Sequence, residues 1–263
     1  MIQVARRLDE VVAAKAGITR SQARSLIMEG RVRVDGQPAT KAGQNVRTDA
    51  DVVVETPRRF VSRGGEKLDA ALVAFGVDVA GRRALDVGAS TGGFTDCLLQ
   101  RGAAGVVAID VGYGQLDWRL RNDSRVTVME RTNFRHVAAD SLELVDIIVI
   151  DASFISLRTI LEKAVQFLRD DGAIVALVKP QFEAGRERLG RGGVVRDPAV
   201  HGAVLREVRD AARSLGLVVV NLVASPLLGP AGNREFLFEL RRSGEPIADE
   251  RIGALVAEGA GDE

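Results

Sequence analysis

The sequence predicts an α/β protein in two unequal parts: a larger one built on a mostly parallel sheet with helices on both faces, and a small α+β part at the amino end. Three observations predict it. From about residue 66 onward, short runs rich in Val, Ile and Leu alternate with stretches of helical period, the pattern of strands buried on both faces and joined by helical crossovers. The 263 residues, 46% hydrophobic, suffice for one large core and one accessory core. The charge is divided unevenly beneath a formal net charge of zero: residues 1–63 carry 12 Lys and Arg against 7 Asp and Glu, and the remainder carries 24 against 29.

At the amino end, Leu8, Val11 and Val12 form one helical stripe. Ala23, Leu26 and Ile27 form a second, on a helix that starts at an N-cap Thr19 or Ser21 and stops at Gly30. Val32 and Val34 then alternate before an Asp35-Gly36 turn, which signals a hairpin. A compact basic part of this kind is the electrostatic footprint of a nucleic-acid binder, the alternative being a solvated charged face. Residues 4–55 resemble the S4 RNA-binding domain, and Arg6, Arg7, Arg20, Arg24, Arg31 and Arg33 match its basic positions. Pro57, the paired arginines after it and Gly64-Gly65 interrupt the periodicity, which divides the chain into a module over 1–56, a linker over 57–65 and a second domain over 66–263.

In that second domain the pattern predicts a helix over Glu66–Phe75, strands at Arg83–Val87, Gly105–Asp110, Val126–Met129 and Asp146–Asp151, and a helix over Phe94–Gln100. A helix over Leu157–Leu168, a strand at Ala173–Val178, a helix over Pro198–Leu215 and two late strands, "LVVVNLV" and "EFLFEL", complete it. The single cysteine, Cys97, excludes an intramolecular disulfide framework, and "MIQVARRLDE" lacks the apolar stretch of a signal peptide. Runs such as "VDIIVI" fall short of the ~18 to 20 apolar residues that cross a bilayer, so a cytoplasmic chain without a membrane part is expected.

The stretch "RALDVGASTGGFTDCLL", residues 83–99, carries an apolar strand into glycines and straight into a helix. Asp86, Gly88, Gly92 and Gly93 give D-x-G-x-x-x-G-G, where glycine admits positive φ and close backbone approach. In a parallel sheet the first strand-to-helix turn is where nucleotide-like ligands bind. A dinucleotide fingerprint reads G-x-G-x-x-G, and Ala89, Ser90 and Thr91 between the glycines disfavour it. S-adenosylmethionine has no pyrophosphate and needs an acid at the end of the second strand for its ribose hydroxyls, a place that Asp110 in "VVAIDVG" fills. The competing reading is a tight turn with a helix-capping acid.

Asp151 closes "VDIIVID" and Lys179 closes "AIVALVK", both at the expected ligand edge. An acid after so apolar a run is costly to bury unpaired. Here the chain resembles the TlyA family, which joins an S4 module to an FtsJ-like methyltransferase domain and methylates ribose 2'-hydroxyls of ribosomal RNA. The resemblance implies a Rossmann-like methyltransferase sheet, mostly parallel with an antiparallel last strand. It implies S-adenosylmethionine as cofactor, held by Asp86, Gly88, Ser90, Gly92, Gly93, Phe94, Asp110 and Asp151. It also implies a catalytic tetrad of Lys67 in "SRGGEKL", Asp151, Lys179 and Glu235, with Glu239 a nearby competitor for the last place. Lys179 is expected to be the base, Asp151 to orient the amines and Lys67 to supply a second positive charge that favours a neutral amine.

No metal is expected, since one Cys and the scattered His136 and His201 make no site. The segment over 183–197 mixes four glycines with Arg186, Arg188, Arg191 and Arg196 and reads as a mobile basic loop at the active edge, with Arg186 and Arg188 as RNA contacts. The expected partner is ribosomal RNA or a ribosomal subunit. Two other readings remain: a catalytically inactive RNA-binding or assembly factor, and, from the family's haemolysin label, a lytic protein, which the lack of an apolar amphipathic or spanning segment disfavours.

Overall fold

Thr19 closes both halves of a capping box with Gln22 and so sets the start of the second helix, deciding between the two caps open in the sequence. The computed structural model describes residues 5–55, 59–229 and 231–258 and divides the chain into two compact units, Met1–Arg58 and Arg59–Glu263. In the first, β1 (Ala5–Arg7) leads into α1 (Leu8–Ala16) and α2 (Arg20–Met28), followed by β2 (Val32–Val34), β3 (Gln37–Pro38), β4 (Asn45–Arg47) and β5 (Val52–Val54). Asp35 and Gly36 both take positive φ in the turn between β2 and β3, the geometry of a tight hairpin. The sequence pattern did not reveal β1, which pairs with β4, or β5, which pairs with β2. Leu8, Val12, Ala23, Ile27 and Val32 make the small core.

The second unit holds α3 (Gly64–Phe75), β6 (Arg83–Val87), α4 (Gly93–Gln100), β7 (Gly105–Ile109), α5 (Trp118–Arg121), β8 (Val126–Met129), β9 (Val145–Ile150) and α6 (Leu157–Ala164). It continues with β10 (Leu168–Val178), α7 (Pro180–Glu183), α8 (Pro198–Ser214), β11 (Val218–Ala224), β12 (Phe236–Arg241) and α9 (Asp249–Ala257). Seven strands form one sheet in the order β11-β12-β10-β9-β6-β7-β8, with β12 antiparallel to both neighbours and the other pairings parallel. Apolar clusters cover both faces, which is why the inner strands are continuous apolar runs.

Two boundaries differ from the sequence reading. The helix expected to reach Leu168 ends at Ala164, because Phe167 already pairs with β9, its carbonyl accepting from the Val145 N–H at 2.8 Å, and Leu168 begins a strand with an irregularity before Ala173. Residues 59–65, expected as linker, belong to the second unit: Phe60 is buried, and the Val61 N–H donates to Asp96 at 2.8 Å. Gly65 lies so close to the Phe60 ring that a Cβ there would stand 2.3 Å from it, so the glycine pair opens α3 rather than breaking the chain. Pro57 and Arg58 lie outside the described residues. Among the described residues no helix is long and apolar enough to cross a membrane.

Candidate active site

The carboxyl ends of β6, β7, β9 and β10 open on one edge of the sheet, and a charged residue follows three of them: Asp110 after β7, Asp151 after β9, Lys179 after β10. β12 arrives from the opposite direction. Its register sets Phe236 against Val178, so Glu235 enters the sheet at the edge where Lys179 leaves it. Lys67, in the first turn of α3, reaches the same residue, its Nζ 2.5 Å from Glu235 Oε2, and both side chains are buried. Glu239 lies deeper in β12 and is engaged by Asn221 and Arg241 instead. Gly229 makes room for the Glu235 carboxylate, since a Cβ there would stand 2.5 Å from Oε1.

Lys179 Nζ lies 2.6 Å from Asp151 Oδ1, without hydrogen-bond alignment, and donates to Ser153 Oγ at 2.8 Å. The tetrad residues therefore form two ion pairs on one sheet edge, Lys67–Glu235 and Lys179–Asp151. Glu183 stabilises the segment between Asp151 and α6, accepting from Ser156 Oγ and from the Leu157 N–H, each at 2.6 Å. Burial pushes its carboxyl pKa above the ordinary value, against those two hydrogen bonds.

A cavity of about 560 Å³ opens at this edge. Of the predicted cofactor residues it gathers Gly88, Ser90, Asp110 and Asp151, with Val87, Ile109 and Phe134 among its apolar lining. Asp110 is already half-committed: Oδ2 accepts from the Ser90 N–H at 2.8 Å and Oδ1 from the Gly112 N–H at 2.7 Å. A carboxylate has about four lone-pair sites, so capacity remains for the two hydroxyls of a ribose. Size, apolar walls and a diol-accepting acid together fit the adenosyl part of S-adenosylmethionine.

Asp86, Gly92, Gly93 and Phe94 are not in the cavity lining. Protein side chains press on both glycines of the pair: a Cβ at Gly92, where φ is +96°, would stand 2.3 Å from Leu120 Cδ1, and one at Gly93 2.2 Å from Ser62 Oγ. Gly88 combines both roles, lining the cavity while its backbone passes so near that a Cβ would meet the Asp151 carbonyl oxygen at 2.7 Å. Phe94 is a core residue. Asp86 is fully buried; Oδ2 accepts from Thr95 Oγ1 at 2.6 Å, and Oδ1 has no partner among the described residues. Burial raises its pKa to about 7, opposed by the Thr95 hydrogen bond and assisted by the charges of Asp151 and Asp110.

The sequence reading missed Thr132, Asn133, Phe134 and Arg135 in the cavity lining, although "ERTNF" directly follows a strand on the same edge. It also missed Ser153, Gln115 and Phe154. Phe154 is 92% exposed, takes a φ of +63°, and packs against Phe182 with ring centroids 5.1 Å apart. An exposed aromatic held in left-handed backbone is costly on both counts.

The segment over 183–197, expected as a mobile loop, is hydrogen-bonded to the rest of the domain near its carboxyl end. Asn233 Oδ1 accepts from the Val195 N–H at 2.9 Å, Asn233 Nδ2 donates to the Gly193 carbonyl at 3.2 Å, and His201 Nε2 lies 3.0 Å from the Val195 carbonyl. Arg188, expected on RNA, is tied through two hydrogen bonds to Glu207, whereas Arg186 is exposed. Among the amino-terminal arginines, Arg6 is exposed, Arg31 and Arg33 face Glu29 and Glu55, and Arg7, Arg20 and Arg24 converge on Asp9. Among the described residues no group of three or more His, Cys, Asp or Glu is placed to hold a metal ion.

A family profile described as FtsJ-like methyltransferase matches residues 60–242, and one described as S4 domain matches residues 6–53. The chain is 51% identical over 235 residues, 88% of each protein, to the 16S/23S rRNA (cytidine-2'-O)-methyltransferase TlyA of Mycobacterium tuberculosis. It is 40% identical over 235 residues, covering 88% of this chain and 98% of the relative, to Hemolysin A of Brachyspira hyodysenteriae. A solved structure described as a candidate hemolysin from Streptococcus thermophilus superposes with a TM-score of 0.75 at 42% identity, covering 97% of this chain and 95% of that one. With an S4 domain, an FtsJ-like methyltransferase domain and this identity along nearly its whole length, the chain belongs to the TlyA family.

Proposed function

We propose that this protein transfers a methyl group from S-adenosylmethionine to a ribose 2'-hydroxyl of ribosomal RNA, presented as RNA or within a ribosomal subunit, in the cytoplasm. The observation that carries the reading is the Lys179–Asp151 pair: Asp151 lines the cavity that suits the cofactor, and Lys179 stands beside it with an amine held at a defined place. When bound, S-adenosylmethionine supplies an electrophilic methyl sulfonium. Gly88, Ser90 and Asp110 hold its adenosyl part, and Asp151 borders both the cofactor and the substrate side. A ribose hydroxyl is a poor nucleophile, so its proton must leave to a positioned base; Lys179 Nζ is that base once its ammonium has given a proton to solvent, the neutral amine then taking the hydroxyl proton as the oxygen takes the methyl group and S-adenosylhomocysteine departs. Ser153 and Asp151 orient the amine, while the Lys67–Glu235 pair places a second ammonium and its counter-ion on the same edge. Residues 1–56 act as the RNA-holding module.

The experiment is a methyl-transfer assay with purified ribosomal subunits and labelled cofactor, paired with calorimetry against S-adenosylmethionine, S-adenosylhomocysteine and NAD. Label in ribose 2'-O-methyl groups is the expected result. RNA binding without incorporation would support a non-catalytic assembly factor, and binding of NAD alone would remove the cofactor assignment.

Phe154 adds the form in which the nucleotide arrives. Bases splayed out of RNA stack on exposed aromatic rings, and Phe154 offers such a ring beside the cavity. Base–aromatic stacking contributes about 1–3 kcal/mol. Phe154→Ala should therefore lower kcat/KM for ribosomal substrate by about tenfold or more at saturating cofactor, with calorimetry alongside because Phe154 also borders the cofactor cavity. An unchanged kcat/KM would remove Phe154 from substrate binding.

A further inference from the structure

Asp9 is completely buried at the second position of α1, and three guanidinium groups close over it. Arg7 uses Nε and Nη2, at 3.1 and 3.0 Å; Arg24 uses Nε at 3.1 Å; Arg20 lays Nη2 across both carboxylate oxygens at 3.3 and 3.1 Å. Glu10, at the rim, takes Arg20 Nη1 at 3.2 Å. Arg7, followed by Arg20 and Arg24, holds the Asp9 carboxyl far below the usual carboxylate range, so the group stays ionised. The arginines themselves remain outward, with side chains 43%, 49% and 54% exposed.

This arrangement is poor if its purpose is stability alone. Arg20 and Arg24 stand four apart on α2, a like-charge spacing that destabilises a helix, and Arg7 adds a third positive charge from the strand before α1. A fully buried carboxylate also has a desolvation cost, which charged hydrogen bonds must offset. What results is a set of planar donors held in fixed orientation, and pre-ordered guanidiniums lose less freedom when they take a phosphate.

We infer that Asp9 is a positioning residue that holds Arg7, Arg20 and Arg24 as a three-pronged fork for the phosphodiester backbone of RNA. The inference rests on the proposed RNA-binding role of the amino-terminal unit and names the device by which that unit grips.

The sign of the Asp9→Asn effect distinguishes this from simple charge. Coulomb attraction alone makes removal of a negative charge tighten RNA binding, since it makes the surface more positive. Loss of the fork does the reverse: the amide has one acceptor oxygen for three guanidiniums and turns its own N–H donors toward them. In the full chain, titrated with a short duplex RNA over a range of salt, Asp9→Asn should weaken binding by about tenfold and lower the slope of log K against log salt by roughly 0.7 to 0.9 for each arginine released. In a background carrying Arg7→Gln, Arg20→Gln and Arg24→Gln it should cost nothing further. Tighter or unchanged binding by Asp9→Asn, or an equal loss in the triple background, would overturn the inference. Arg24→Lys, at an exposed position that leaves the core intact, keeps the charge and loses the fork geometry, so it should weaken binding several-fold; affinity equal to that of the unaltered chain would also overturn it. Salt-independent binding by the unaltered chain would instead show that the RNA-binding reading of the unit is wrong.

Discussion

Lys179→Ala lowers turnover on ribosomal substrate by about 10²- to 10⁴-fold, the contribution ordinarily made by a positioned general base. Cofactor affinity holds. The reason is spatial: Lys179 is not itself in the cavity lining, although its partners Ser153 and Asp151 are, and Gly88, Ser90 and Asp110 make no contact that depends on its amine. Removal of the amine frees Asp151 from its partner but leaves the Asp110 carboxylate bound to the Ser90 and Gly112 N–H groups. Single-turnover rates at saturating RNA, with calorimetry of the cofactor alongside, separate the two effects. Turnover near that of the unaltered chain would remove Lys179 from the chemistry, and a parallel loss of cofactor affinity would mean that the cavity depends on it.

Deletion of residues 1–56 lowers methylation of ribosomal substrate by about 10²-fold or more, because a reacting hydroxyl displaced by about 1 Å already costs that much. If Arg7, Arg20 and Arg24 each hold a phosphate, the slope of RNA binding against salt falls by roughly 2 to 3 in the same deletion. Cofactor affinity survives, since the second unit has apolar clusters of its own on both sheet faces, and the cavity is lined entirely by its residues. Filter binding across a salt series and methyl incorporation at one fixed salt measure the two losses. Equal methylation by the shortened and full chains at the same salt would show that the amino-terminal unit is not what brings RNA to the site.

The class of fold and the edge that carries the site were legible in the residues alone, because both depend on local pattern. Apolar runs ending in Asp110, Asp151 and Lys179 state at once where strands lie and which ends face a ligand, since a charged residue costs least at the end of a parallel strand buried on both faces. The Asp35-Gly36 turn was legible for the same local reason, the backbone angles that those residues accept. Long-range pairing decided the rest. Whether Lys67 meets Glu235 or Glu239 depends on the antiparallel register of β12 against β10, which no single strand encodes. The glycines at 92 and 93 announced close approach but not what approaches, and in the folded chain the side chains of Leu120 and Ser62 do so. Arg188 and the trio Arg7, Arg20 and Arg24 look alike in sequence, as basic residues on exposed segments, yet one is tied to Glu207 and the others are gathered by Asp9. Charge in a sequence is a quantity without direction, and only the packing of helix on helix or loop on helix turns it into a bond or a binding surface.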